Sequence, residues 1–163
     1  MNWVSRFKAN IRPPRHGAEH ADDQISMLAV IPYGRDRQQL HEIAQRSHWS
    51  LDFAPTLESG RERLRQAMKP VIICDRDLPD CGWRDVVETL VAAAPGSVVL
   101  LASSADEESL WEEVVRAGGY DVLRKPFEFE RVTHTVHFAW MYWKFTNSHL
   151  AASKEKSGAH RLS

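Results

Sequence analysis

From Ile25 onward, short apolar runs alternate with amphipathic stretches of helical period across the middle of the chain. The runs are residues 26–31 (SMLAVI), 49–53 (WSLDF), 71–74 (VIIC), 97–102 (SVVLLA) and 120–123 (YDVL). Three of them are continuously apolar, as strands buried on both faces are. Helical stretches separate them. Asp36 with Gln39 reads as a capping box ahead of a helix presenting Leu40, Ile43 and Ala44. Thr56 caps a second helix that carries Leu57, Leu64 and Ala67. Trp83, Val86, Val87, Leu90 and Val91 space a third at i, i+3, i+4, i+7 and i+8. Ser104 with Glu107 boxes a fourth, with Leu110, Trp111, Val114 and Val115 inward and Gly118 as its stop. A fifth spans residues 128–147.

Five successive β-then-α units specify an α/β fold, an open parallel sheet with helices on both faces. In such sheets the functional crevice lies at the carboxyl ends of the strands. The positions to inspect are therefore 31–34, 75–79, 102–104 and 124–126. Residues 1–24, with Pro13-Pro14 and the polar HGAEHADDQ, carry no sustained apolar period and read as a disordered extension. Residues 148–163 read as a disordered C-terminal tail, which leaves 25–147 as the globular domain.

Charge sharpens that division. The 163 residues carry a formal net charge of −1. Arg6, Lys8, Arg12 and Arg15 stand in residues 1–18 with no acid, and Lys154, Lys156 and Arg161 face only Glu155 in the tail. The remaining 14 basic and 21 acidic residues give the body −7 between basic ends. An acidic body without a reading helix argues against direct DNA binding. Cys74 and Cys81 lack C-x-x-C spacing, so neither a zinc knuckle nor a disulfide scaffold is encoded. No apolar run is long enough to span a membrane. The start lacks the apolar block of a secretory signal, which points to a cytoplasmic setting.

Three strand ends carry chemistry. Asp75 follows VIIC directly, where a carboxylate is half-sheltered yet reachable and can act as a nucleophile toward a phosphoryl donor. Ser103 offers a hydroxyl for a phosphoryl oxygen, and Lys125 a compact cation to pair with it. Singly, each is as well read as a loop acid, a helix-approach residue and a solvated charge. Jointly, at successive strand ends, they read as one site.

VIICDRDLPDCGW resembles the phosphoacceptor loop of response-regulator receiver domains, with Asp75 followed by Leu78-Pro79. AGGYDVLRKPF is similar to the fifth strand of that family, ending in Lys125-Pro126-Phe127, and Ser103 falls where receivers place Ser or Thr. The resemblance implies a flavodoxin-like (βα)5 sheet of order 2-1-3-4-5 and a cis peptide before Pro126. It also implies phosphoryl transfer to Asp75 from a histidine kinase or phosphotransfer protein. The expected role is a stand-alone, non-enzymatic response regulator whose output is a protein–protein contact, since the tail is too short for a helix-turn-helix. Receivers place an acidic pair after the first strand to hold Mg²⁺, and here that pair falls on Pro32 and Tyr33. Neither side chain offers a carboxylate, so Asp75 and the carbonyl of Asp77 are left as metal ligands. Asp36 reads as a helix cap, and Asp22 and Asp23 belong to the far end of the strand. Asp77 and Asp80 read equally as compensating acids or turn residues. The aromatic switch position is Val122, with Tyr120 two residues back on the same strand face by alternation.

The competing reading is a phosphorylation-independent pseudo-receiver, which the missing acids favour. A further alternative is a flavodoxin-like enzyme or small-ligand binder with Tyr33, Asp75, Ser103 and Lys125 around its pocket. The pairs His16/His20 and His134/His137 lack metal-site partners and read as surface histidines. On the fifth helix, Phe129, Val132, Val136, Ala139, Trp140 and Trp143 form a core stripe. Phe138, Met141, Tyr142 and Phe145 form a second stripe, which predicts a homodimer or effector face on the fourth and fifth helices. Trp3, Phe7 and Ile11 line one side of a short basic helix suited to an anionic surface or a partner.

Overall fold

The computed structural model describes residues 24–158 except residue 80. The readings for the basic N-terminal extension, His16/His20, Asp22, Asp23 and Asp80 lie outside the described residues. Five strands, β1 (Ser26–Val30), β2 (Ser50–Ala54), β3 (Val71–Asp75), β4 (Val98–Ser103) and β5 (Asp121–Arg124), form one parallel sheet of order β2-β1-β3-β4-β5. β3 and β4 are buried along their whole length, as their unbroken apolar sequences require. Edge strands β2 and β5 are mostly half-buried.

The helices are α1 (Arg35–Arg46), α2 (Leu57–Gln66), α3 (Trp83–Ala93), α4 (Leu110–Arg116) and α5 (Phe129–Gly158). α1 and α5 cover one face, where Leu40, Ile43, Val132, Val136 and Ala139 meet Met27, Ala29, Ile73 and Leu100. α2, α3 and α4 cover the other, where Leu64, Val86, Val87, Leu90 and Val114 meet Leu28, Ile72, Cys74 and Leu101. Each wholly buried aliphatic side chain contributes about 1.5–3 kcal/mol of transfer free energy, so these two layers dominate the stability of the fold.

The strand readings hold to within about a residue at each end, the ordinary uncertainty of element boundaries. Thr56 caps α2, accepting from the Ser59 N–H at 3.2 Å. The other two cap readings need correction. Asp36 is not a cap: Gly34 is the N-cap of α1, and the Asp36 carboxylate reaches Lys125 instead. Ser104 and Glu107 do not start α4, which begins at Leu110 behind Ser109, because Glu107 is drawn to Arg76 across the loop. That short helix buries Leu110 and Val114, leaving Val115 40 % exposed and Trp111 half-buried. Gly118 follows its last turn at φ 95°, a conformation few side chains tolerate. α5 continues to Gly158, so residues 148–158 extend the helix past the boundary at 147 that the sequence pattern suggested. Tyr120 also departs from expectation: it precedes β5, packs on the α1/α5 face and stacks 5.1 Å from Tyr142, while Val122 packs on the opposite face.

Candidate functional site

β3 ends on Asp75, and the Arg76 N–H bonds the Ala102 carbonyl at 2.9 Å, which keeps the acceptor loop on the sheet edge. The Asp75 residue is 4 % exposed. One of its oxygens, Oδ1, accepts from the Asp77 N–H at 2.8 Å; the other, Oδ2, accepts from Lys125 Nζ at 3.0 Å. Lys125 is delivered by the end of β5, where its backbone N–H bonds the Ser103 carbonyl at 3.0 Å and its peptide with Pro126 is cis. Its ammonium donates a second bond to Asp36 Oδ2 at 3.1 Å. Burial alone would lower the affinity of Lys125 for its proton. Hydrogen bonds to Asp75 and Asp36, with the charges of both, outweigh it and hold the group above its usual 10.5.

These groups open onto a cleft of about 320 Å³ lined by Ile31–Asp36, Asp75, Asp77 and Lys125. The structure thus brings Asp75, Asp77 and Lys125 together with Pro32 and Tyr33. Ser103 is close in the sheet but differently engaged. It is fully buried, absent from the cleft lining, and its Oγ accepts from the Ala105 N–H at 3.0 Å. Cys74, the residue before Asp75, is fully buried; burial first and the Asp75 charge second push its thiol up to about 12. The loop after β4 is tied from both flanks of the site. Arg76 bonds Glu107 at 3.0 Å, and Arg124 bonds Asp106.

Tyr33 lines the mouth of the cleft but is 76 % exposed, and its ring lies 4.4 Å from the Arg37 guanidinium, which also covers Phe53 at 4.6 Å. Mg²⁺, the metal that the family fold implies, needs several oxygen donors in near-octahedral array. Pro32 and Tyr33 offer no carboxylate, and Asp36 and Asp75 each give an oxygen to Lys125. Among the described residues no three acidic, His or Cys side chains are grouped to hold a metal. The residues present do not fit the ion. The residue that sequence reading missed is Asp36, and its signal was available: it is the first acid after β1.

The profile of the response regulator receiver domain matches residues 35–137, beginning just past Pro32 and Tyr33. The chain is 29 % identical over 111 residues to the transcriptional regulatory protein CitB of Klebsiella pneumoniae, covering 68 % of this chain and 45 % of that protein. It is 22 % identical over 104 residues to the chemotaxis protein CheY of Thermotoga maritima, covering 62 % of this chain and 85 % of the other. The chain thus spans less than half the length of the transcriptional regulators it matches. Among solved structures, the beryllofluoride-activated NtrC4 receiver domain dimer superposes with a TM-score of 0.67 at 24 % identity, over 72 % of this chain and 98 % of that one. No helix of the described residues is long and apolar enough to cross a membrane.

Proposed function

Because this chain belongs to the response regulator receiver domain family, we propose that it serves two-component signalling with Asp75 as its phosphoacceptor and a protein–protein contact as its output. One observation carries the assignment: Asp75 is the sheltered carboxylate at the end of the central strand β3, and it is bonded to Lys125. In this reading the donor is a phosphohistidine on a histidine kinase or phosphotransfer protein. The Asp75 carboxylate attacks phosphorus, the P–N bond breaks as the O–P bond forms, and imidazole leaves. Lys125 then pairs with the phosphoryl oxygens, and the Ser103 hydroxyl, swung away from Ala105, donates to one of them. No turnover of a separate substrate is involved, so the chain is a signalling module and not an enzyme. A cytoplasmic setting suits such a donor.

The output face fits α5. Met141, Tyr142 and Phe145 are exposed at 37 %, 45 % and 60 %, with Phe138 half-buried beside them. Such a stripe, together with Val115 of α4, suits a homodimer through the fourth and fifth helices. Phe145→Lys is expected to shift the chain to monomer in light scattering.

A specific observation also favours a phosphorylation-independent module: the acids that would hold a metal are replaced by Pro32 and Tyr33. Intact-mass measurement after incubation with acetyl phosphate, or with a phosphorylated phosphotransfer protein, separates the two. Acceptor function requires one added phosphoryl group, gained slowly and absent from Asp75→Asn. Labelling that survives Asp75→Asn overturns the assignment of Asp75, and no labelling from either donor leaves the phosphorylation-independent module.

A further inference from the structure

Lys125 touches two carboxylates at once, and they come from opposite sides of the cleft. Asp75 ends β3, whereas Asp36 sits in the first turn of α1, 89 residues from Lys125 in sequence. The side chains of Lys125 and Asp75 are 10 % and 5 % exposed, and that of Asp36 37 %. An acid in the first turn of a helix is unremarkable by itself, because the N-terminal dipole favours it on any helix. The 3.1 Å bond to Lys125 is what sets Asp36 apart.

The donor set of this cleft disagrees with the divalent cation that the family fold implies. We propose that Asp36 is the positioning residue of this site: it holds Lys125 against Asp75, so that the lysine ammonium, and not a divalent cation, is the counter-charge of the acceptor carboxylate. The proposal deepens the phosphoacceptor reading and takes its functional meaning from it. An ammonium has three donors, and two of them are spent on these charge-assisted bonds. A divalent cation entering between Asp36 and Asp75 must compete with the ammonium for both carboxylates and stand beside a like charge. Pro32 has no donor side chain and the ring of Tyr33 packs on Arg37, so neither adds an oxygen to repay this, and Asp77 is the one further carboxylate of the cleft lining. The site therefore holds fewer carboxylates than acids at positions 32 and 33 would give it, and the lysine leaves it closer to neutral without a metal.

NMR of the full chain tests this with Mn²⁺ as the probe. Wild type is expected to show no saturable broadening at the amides of Tyr33, Asp36 and Asp77 up to roughly 10 mM, about tenfold beyond the weakest specific carboxylate sites. Saturable broadening there overturns the proposal. Asp36→Asn is expected to lower the titration midpoint of the Lys125 side chain, and Asp36→Glu to restore most of it. An unmoved midpoint in Asp36→Asn overturns the proposal as well. Pro32→Asp with Tyr33→Asp is expected to gain saturable broadening, at least about tenfold tighter than wild type. Should that variant lose its dispersed amide spectrum, Tyr33→Asp alone replaces it, and no gain in the folded variant refutes the donor-set argument. The two readings fail separately. Metal binding by wild type ends the clamp and leaves Asp75 as acceptor, while absent Asp75 labelling ends the acceptor reading and leaves the clamp.

Discussion

The sheet shelters one lysine at each end, and the two are not equivalent. Lys69, at the amino ends of the strands, is 8 % exposed; its ammonium lies 2.7 Å from Asp52 and 3.2 Å from Ser26 Oγ. Lys125, at the carboxyl ends, lies between Asp75 and Asp36. Lys69 meets one carboxylate, which is 43 % exposed and can return to water, plus a neutral hydroxyl. Lys125 meets two carboxylates, and one of them has almost no solvent of its own. The first arrangement staples β1, β2 and β3. The second leaves a buried carboxylate whose state depends on whatever cation stands next to it, which is what a site needs and a staple does not.

Removing each ammonium breaks the comparison most directly. Lys125→Met leaves Asp75 sheltered and uncompensated beside Asp36, and a cost of about 3 kcal/mol is expected at neutral pH. Lys69→Met leaves Asp52 free to rehydrate, and about 1 kcal/mol is expected. Urea unfolding of both variants at neutral pH measures the pair. Equal costs would show that the two ends are both staples.

The sequence made the sheet legible because its signals there are local and redundant. VIIC and SVVLLA are unbroken apolar runs, and a strand buried on both faces has few other ways to be written. Asp75 and Lys125 were legible for the same reason: each follows directly from the end of a strand. What stayed hidden depended on closure in three dimensions. Asp36 and Glu107 have the local look of cap-box acids, yet Lys125 and Arg76 offer each a full charge, worth more than a backbone N–H. Tyr120 was misplaced because alternation holds only within a strand, and it lies one residue before β5. Ser103 shows the limit in the other direction. Its position was read correctly, but nothing local reveals that its hydroxyl is turned to Ala105.

High pH sharpens the comparison at the Lys125 end. Its folded affinity for a proton exceeds the unfolded one, so its stabilisation is complete below about 10.5 and is lost as pH rises through the higher folded value. Asp36→Asn removes one of the two bonds and one of the two charges, so this stabilisation should be smaller below about 10.5 and its loss complete at lower pH than in wild type. Tyr120 contributes to the same limb. Burial, then Asp121 and then Tyr142 raise its value, so the fold favours the neutral phenol and loses stability as pH rises past 10. Tyr120→Phe as background isolates the lysine. Urea midpoints from pH 8 to 11 that are identical with and without Asp36 would sever it from Lys125.

The acid side needs a similar control, and it is the smallest of these effects. His137 lies half-buried on α5, and burial first and the neighbouring His134 second lower its affinity for a proton. The fold therefore favours neutral imidazole, whereas the unfolded chain takes up a proton below about 6.5. The sign is opposite to that of Lys125: stability is complete above this value and declines as pH falls through the depressed folded one. His137→Gln should flatten the limb just below pH 6.5 in otherwise wild-type protein, read from urea midpoints. Lys125 and Lys69 lie on other elements, so the same substitution should flatten it equally in Lys125→Met and in Lys69→Met. A limb that His137→Gln leaves unchanged would assign the loss to another group.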